Sequence, residues 1–166
     1  MIVLPSGFST TLKSIEGTNG EITEAFPPMS VVMQLTDDLD ISRGDMLVRP
    51  QNAPFISQNL DCMICWMNTK PLTPGTRYIL RHTTKEIKGI VKNIQYKIDI
   101  NTLHRIPDVT QLGLNEIGRI GVRTAQPLFY DSYHNNRATG SIILIDEKTN
   151  ETCLLYTSDA ADEEDS

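Results

Sequence analysis

Three features of the sequence predict an all-β fold. Short apolar runs are broken every few residues by Gly, Pro, Asn and Asp, one long run alternates strictly, and no long amphipathic helical pattern occurs. With 166 residues, 39% hydrophobic and 22% charged, the chain holds enough apolar material for one ordinary domain or two small ones.

The elements follow in order. From Ile2 to Arg49 the chain reads IVLPSG, TTLKSIEGTNGEI, MSVVMQLTDDLDI and SRGDMLVRP, an alternation of strand-like runs and turn chemistry. Leu12 and Ile15 lead into the turn cluster Gly17-Thr18-Asn19-Gly20. Val31, Met33 and Leu35 alternate with Val32, Gln34 and Thr36 as a half-buried strand would. A polar connection through Asp37, Asp38, Asp40 and Ser42 to Asp45 precedes a strand at Met46 to Val48 that stops at Pro50. Gln51 to Pro54 combines Pro, Asn and Gln between two strand-like regions, so a domain boundary is expected there, with domains over 1–53 and 54–152.

In the second domain Asn59 to Met67 is the expected first strand, ended by Lys70 to Gly75. Tyr78 to Leu80 and the long run Ile87 to Ile100 follow. Ile90, Lys92, Ile94, Tyr96, Ile98 and Ile100 share one parity, which predicts a bent strand crossing a barrel. Asp99 to Gly113 reads as a loop with one helical turn. Ile117 to Ala125 and Gly140 to Asp146 read as strands, and Gln126 to Thr139, dense in Tyr, Asp, Asn and Arg, reads as an irregular loop between them.

Charge and motifs narrow the function. The net charge of −6 is unevenly placed: residues 151–166 carry six acids and no base, while residues 1–150 carry 15 acids and 15 bases. A body of balanced charge lacks the Lys/Arg excess of a dedicated nucleic-acid binder, and no apolar run is long enough to span a membrane as a helix. A cytoplasmic protein is expected. The peptide CLLYTSDAADE, from Cys153, is one that a transposon-derived sequencing-library adapter encodes in one reading frame. Residues 153–166 are therefore expected to be a sequence-assembly scar, disordered and without a packed role.

Neither GxxxxGK[ST] nor GxGxxG occurs, so no phosphate-cradling loop is present, and no G-x-S-x-G elbow supplies a nucleophile. Cys62 and Cys65 form a CxxC, but residues three apart on a strand point to opposite faces, so packing thiols are expected and not a zinc or redox pair. His82, His104 and His134 fit no ligand pattern. No catalytic, nucleotide-binding or metal-binding residue is assigned.

Several blocks together resemble a known family: Ser6-Gly7 through Ile15, Asp40-Ile41-Ser42-Arg43-Gly44-Asp45, Trp66-Met67, Pro74-Gly75, Asp99-Ile100-Asn101-Thr102-Leu103, Leu114-Asn115-Glu116-Ile117-Gly118-Arg119 and Asn136-Arg137-Ala138-Thr139-Gly140. In order and spacing, from about Ile2 to Thr152, they are similar to the large, GTPase subunit of bacterial sulfate adenylyltransferase. The resemblance implies two elongation-factor-like β-barrels, the first incomplete and the second nearly complete, in a fragment lacking the GTPase domain. It also implies a complex that forms adenosine 5′-phosphosulfate and pyrophosphate from ATP and sulfate, with coupled GTP hydrolysis. Adenylyl transfer would belong to a small catalytic subunit, and GTP and Mg to the absent GTPase domain, so no cofactor is expected on this chain. The expected partners are that small subunit and the chain's own GTPase domain, without nucleic acid or membrane. Tyr130, Tyr133, Asn135, Asn136 and Arg137, in the loop between the last two strands, are the candidate interface or coupling residues. The departure from the family at Cys153 leaves closure of the second barrel without its expected last strand. A rival reading is a barrel fragment of a translation elongation factor-like GTPase, which would hold aminoacyl-tRNA.

Overall fold

The computed structural model describes residues 1–159, and side chains through Cys153. The described residues are all β and contain no helix. The chain divides into two compact units, Met1–Ala53 and the remainder from Pro54.

In the first unit β1 (Ile2–Leu4) pairs antiparallel with β5 (Met46–Val48). β2 (Leu12–Gly17) lies between β3 (Gly20–Ile22) and β4 (Val32–Leu35) in a second small sheet. The two-residue turn Thr18-Asn19 sits between the paired Gly17 and Gly20, and Gly20 has φ +109, a conformation that L side chains rarely adopt. Val3, Leu4 and Val48 are buried, whereas Phe8, Phe26 and Val32 are exposed.

The second unit comprises β6 (Phe55–Trp66), β7 (Arg77–His82), β8 (Lys85–Ile98), β9 (Arg105–Pro107), β10 (Ile117–Tyr130), β11 (Ser141–Ile145) and β12 (Thr152–Asp159). Following the pairings β10-β6-β12-β11-β7-β8 and back to β10 closes a six-stranded barrel, with β9 attached to β8 at its side. Closure removes the exposed edges that an open sheet would present. Inward residues alternate along each strand, and Leu60, Cys62, Ile64, Trp66, Tyr78, Leu80, Val91, Ile120, Val122, Ile142 and Leu144 fill the interior. Leu72 and Leu112, bridged to each other through both backbone amides at 2.8 and 3.0 Å, are fully buried in the same core.

Four expectations are corrected. The single parity from Ile90 to Ile100 does not hold: Ile87, Gly89 and Val91 face inward, then Ile94 and Tyr96 do. The switch at Lys92–Asn93 coincides with register shifts against β10, where extra residues on β8 are left unpaired. A bulge of this kind bends a strand sharply enough to follow a small barrel. Gly121 faces it, and a Cβ there would stand 2.3 Å from Asn93 Oδ1. Second, Asp99 to Gly113 contains no helical turn; it forms the short strand β9, because Arg105–Pro107 finds the free edge of β8. Third, β10 continues past Ala125 to Tyr130. Its register breaks between Arg123 and Leu128, and this excursion takes Pro127 out of the ladder that a proline would otherwise interrupt.

The fourth correction concerns the segment after Thr152. Cys153 to Asp159 is not disordered: as part of β12 it pairs with both β6 and β11, and Cys153 is buried. The physical reason is the gap between β6 and β11, whose unpaired amides and carbonyls accept any extended segment arriving after the turn at Asp146 to Asn150. Residues 160–166 lie outside the described residues.

Candidate functional site

The most specific sequence blocks build two clasps on the barrel. In the first, Leu114 to Arg119, Asn115 adopts φ +63 and donates its amide to Trp66 O at 2.7 Å, while Trp66 N donates to Glu116 O at 2.9 Å. Glu116 accepts from Gly113 N at 2.8 Å and from Lys97 Nζ at 2.7 Å, tying β8 to the start of β10. The Lys97 hydrogen bond, helped by the Gly113 amide, holds the Glu116 carboxyl below its ordinary range. Arg119 Nε donates to Asp61 Oδ1 at 2.8 Å, and Gln95 Nε2 donates to the other oxygen of Asp61 at 3.1 Å. A Cβ on Gly118 would meet both Leu112 methyls and Tyr96 O at 2.8 to 2.9 Å, so the glycine permits the close approach. Together these contacts join the start of β10 to β6 and β8.

The second clasp is the connection from Asp131 to Gly140. Thr139 Oγ1 donates to Asp131 Oδ2 at 2.6 Å, Asn136 N donates to Ser132 O at 3.0 Å, and Gly140 N donates to Asn136 O at 2.8 Å. Ser141 Oγ donates to Arg137 O at 2.6 Å. The loop is thus internally hydrogen-bonded and presents a defined surface. His82, 2% exposed at the end of β7, supports it from below by donating Nε2–H to Thr139 O at 2.7 Å.

Burial pushes the His82 imidazole down from its ordinary value of 6.5, against the opposing pull of the Thr139 carbonyl and Asp131. The unfolded chain then binds a proton that the folded chain refuses. Stability is complete above about pH 6.5 and falls as pH drops below it towards the depressed folded value. The thermal midpoint is expected to decline as pH falls below about 6.5, and less steeply in His82→Gln, whose amide also donates to Thr139. Parallel pH profiles for the two proteins would remove His82 from this role.

Among the candidate interface residues, Tyr130 separates from the rest: it is 7% exposed, belongs to the barrel core and lies beside Phe55 with ring centroids 6.1 Å apart. Tyr133 and Arg137 are brought together, the guanidinium 5.7 Å from the ring centroid. Asn135 and Asn136 are exposed, but Asn136 Oδ1 is engaged by Ala138 N at 3.1 Å. Tyr133, Asn135 and Arg137 therefore remain as an outward surface.

Cys62 is buried and Cys65 half-buried on opposite faces of β6. Among the described residues, no group of three or more His, Cys, Asp or Glu side chains comes together. With no phosphate loop in the sequence, the residues present do not fit GTP or Mg. No helix among the described residues is long and apolar enough to cross a membrane. The sequence pattern misses one grouping, Arg77, Lys88 and Arg123, which line one groove from three different strands. Their outward parity is the only available signal, and it becomes useful only once the register between strands is known.

Among known proteins, the chain is 48% identical over 153 residues to a bifunctional enzyme CysN/CysC of Mycobacterium tuberculosis, covering 92% of this chain and 25% of that protein. It is 41% identical over 155 residues to sulfate adenylyltransferase subunit 1 of Bacteroides fragilis, covering 93% of this chain and 32% of the relative. The chain thus spans about a quarter to a third of these relatives' length. Among solved structures, Sup35 complexed with GDP superposes with a TM-score of 0.84 at 15% identity, covering 96% of this chain and 39% of that one. Translation elongation factor SelB of Methanococcus maripaludis gives 0.74 at 16%, covering 96% and 35%. These two share the elongation-factor-like barrel fold. A family model described as GTP-eEF1A C-terminal domain-like matches residues 59–154, most of the closed barrel with its first clasp and its loop, and the chain belongs to that family.

Proposed function

We propose that this chain is the barrel portion of the GTPase subunit of a cytoplasmic sulfate adenylyltransferase, the complex that forms adenosine 5′-phosphosulfate and pyrophosphate from ATP and sulfate with coupled GTP hydrolysis. The observation that carries this reading is the identity of 41% over nine-tenths of the chain to a sulfate adenylyltransferase subunit 1, beside 48% to a bifunctional enzyme CysN/CysC. In this reading the chemistry belongs elsewhere, to a small catalytic subunit and to a GTPase domain that binds GTP and Mg. The barrels connect them. GTP hydrolysis can drive adenylyl transfer only if the GTPase domain's two states touch the rest of the complex differently. The loop surface of Tyr133, Asn135 and Arg137 offers a contact for this purpose: an aromatic and an arginine already held together lose less freedom on binding than two separate side chains. The aminoacyl-tRNA reading has no comparable support, since the translation-factor likeness is one of fold.

Residues 1–152 grafted in place of the matching segment of the Bacteroides fragilis subunit test both levels. The graft, co-expressed with the small subunit, is expected to co-purify with it and to release pyrophosphate from ATP and sulfate in a GTP-stimulated manner. Failure to associate and to turn over, by a folded graft, would overturn the assignment. Tyr133→Ala with Arg137→Ala in an active graft is expected to weaken subunit association or GTP stimulation by roughly tenfold, the usual loss for an interface anchor pair. Unchanged association and coupling would return the loop to a purely structural role.

A further inference from the structure

Arg77, Lys88 and Arg123 stand on adjacent strands around a groove of about 300 Å³ on the outer barrel wall, with Ile90, Gly89 and Ala125 also lining it. Their meeting follows from register. Ile90 of β8 pairs with Arg77 of β7 on one side and with Arg123 of β10 on the other. Lys88 lies two residues before Ile90 on the same outward face. The two arginines are therefore about 10 Å apart at the backbone, two strand spacings, with a half-buried isoleucine between them. All three cations are exposed, and no acid lines the groove. At its rim Lys88 Nζ donates to Glu147 Oε1 at 2.6 Å, and the same carboxylate feels the charge of Arg77 without pairing with it directly, while Arg123 makes no ion pair among the described residues.

We infer that this groove is a docking surface for an acidic, extended segment of a partner protein, with glutamate or aspartate carboxylates on Arg77 and Arg123 and an apolar side chain over Ile90. Three features select this occupant. Guanidinium groups match carboxylates through paired N–H donors, and Glu147 shows that a carboxylate already satisfies the Lys88 end. The apolar Ile90 and Ala125 suit a side chain and offer nothing to a free anion. A phosphate would find guanidinium donors here but none of the backbone amides that often complete its site, since the amides of β8 belong to ladders with β7 and β10 on both sides. The groove also adjoins the start of the Gln126 to Thr139 segment, although its assignment does not depend on the function of that loop.

Fluorescence anisotropy of a labelled hexapeptide alternating glutamate and leucine, titrated with the 166-residue chain, tests the inference. Saturable binding is expected, weakened by added salt and lost when glutamine replaces glutamate in the peptide. Arg77→Ala with Arg123→Ala should raise the dissociation constant about tenfold or more, while Arg43→Ala in the first unit should leave it unchanged. Arg123→Glu is the second variant, expected to abolish binding. Both must keep the wild-type Trp66 emission and urea midpoint, which exposed side chains allow. Three results would overturn the proposal: no saturation at millimolar chain, equal binding by the double variant, or displacement of the peptide by inorganic phosphate or polyuridylate at lower charge concentration than by unlabelled peptide.

Discussion

Trp66→Ala is expected to cost the second unit about 3–5 kcal/mol, the range for emptying an aromatic site in a packed core. The side chain is 1% exposed, meets the Tyr78 ring edge-on at 5.7 Å between centroids, and donates Nε1–H to Lys70 O at 2.8 Å. Its backbone also holds the first clasp through Asn115 and Glu116. The large side chain faces neighbours from several strands, so the cavity has no single element that could move in to fill it. With a denaturant slope of about 2 kcal/mol/M, the urea midpoint by circular dichroism should fall by about 2 M. Trp66→Phe separates the contributions: it keeps most of the volume, loses the Lys70 hydrogen bond, and should cost only about 1–2 kcal/mol. If alanine proved no worse than phenylalanine, the barrel would not depend on this core contact.

Gly140→Ala is the second large effect, and it acts through backbone. A Cβ at this position would lie 2.4 Å from Tyr133 Cα, 2.6 Å from Tyr133 N and 2.8 Å from Asn136 O. No side-chain rotation relieves such contacts, so the loop must shift, breaking the Gly140 N to Asn136 O bond and the support from His82 through Thr139. The expected loss is about 3 kcal/mol, at the upper end for overpacking by a single methyl. Amide exchange should accelerate in residues 131–140 more than in the barrel strands, because the damage begins at the loop. Gly113→Ala is the internal comparison. Its nearest neighbour is Glu116 Oε2 at 3.7 Å, an ordinary contact, and its stability should change by less than about 1 kcal/mol. Equal effects at the two glycines would show that the crowding at Gly140 is not what shapes the loop.

The legibility of this chain is uneven for physical reasons. Strand existence is readable because side-chain alternation is local: Met46–Val48 matches its expected bounds, β10 starts at Ile117 as expected, and β11 starts at Ser141, one residue after the expected Gly140. What happens at irregularities is not. The parity switch at Lys92–Asn93 depends on how β8 must bend against β10, and the extension of β10 through Pro127 depends on an excursion that spares the proline its missing hydrogen bond. Nearness in sequence groups Tyr130 with Tyr133 and Arg137, but the strand runs on and turns it into the core.

Residue order alone is enough for the all-β class, the opposite facing of Cys62 and Cys65, and the blocks around Glu116 and Arg137 that carry the family resemblance. Each follows from residue chemistry and spacing along one strand or turn. Closure of the barrel through β12, the hydrogen bond from His82 to Thr139, the crowding at Gly140 and the convergence of Arg77, Lys88 and Arg123 come from elsewhere. They join residues distant in the chain or press two backbones together, as at Gly140 against Tyr133. Such contacts exist only after strand register has been chosen, and that choice is made by packing the whole barrel at once.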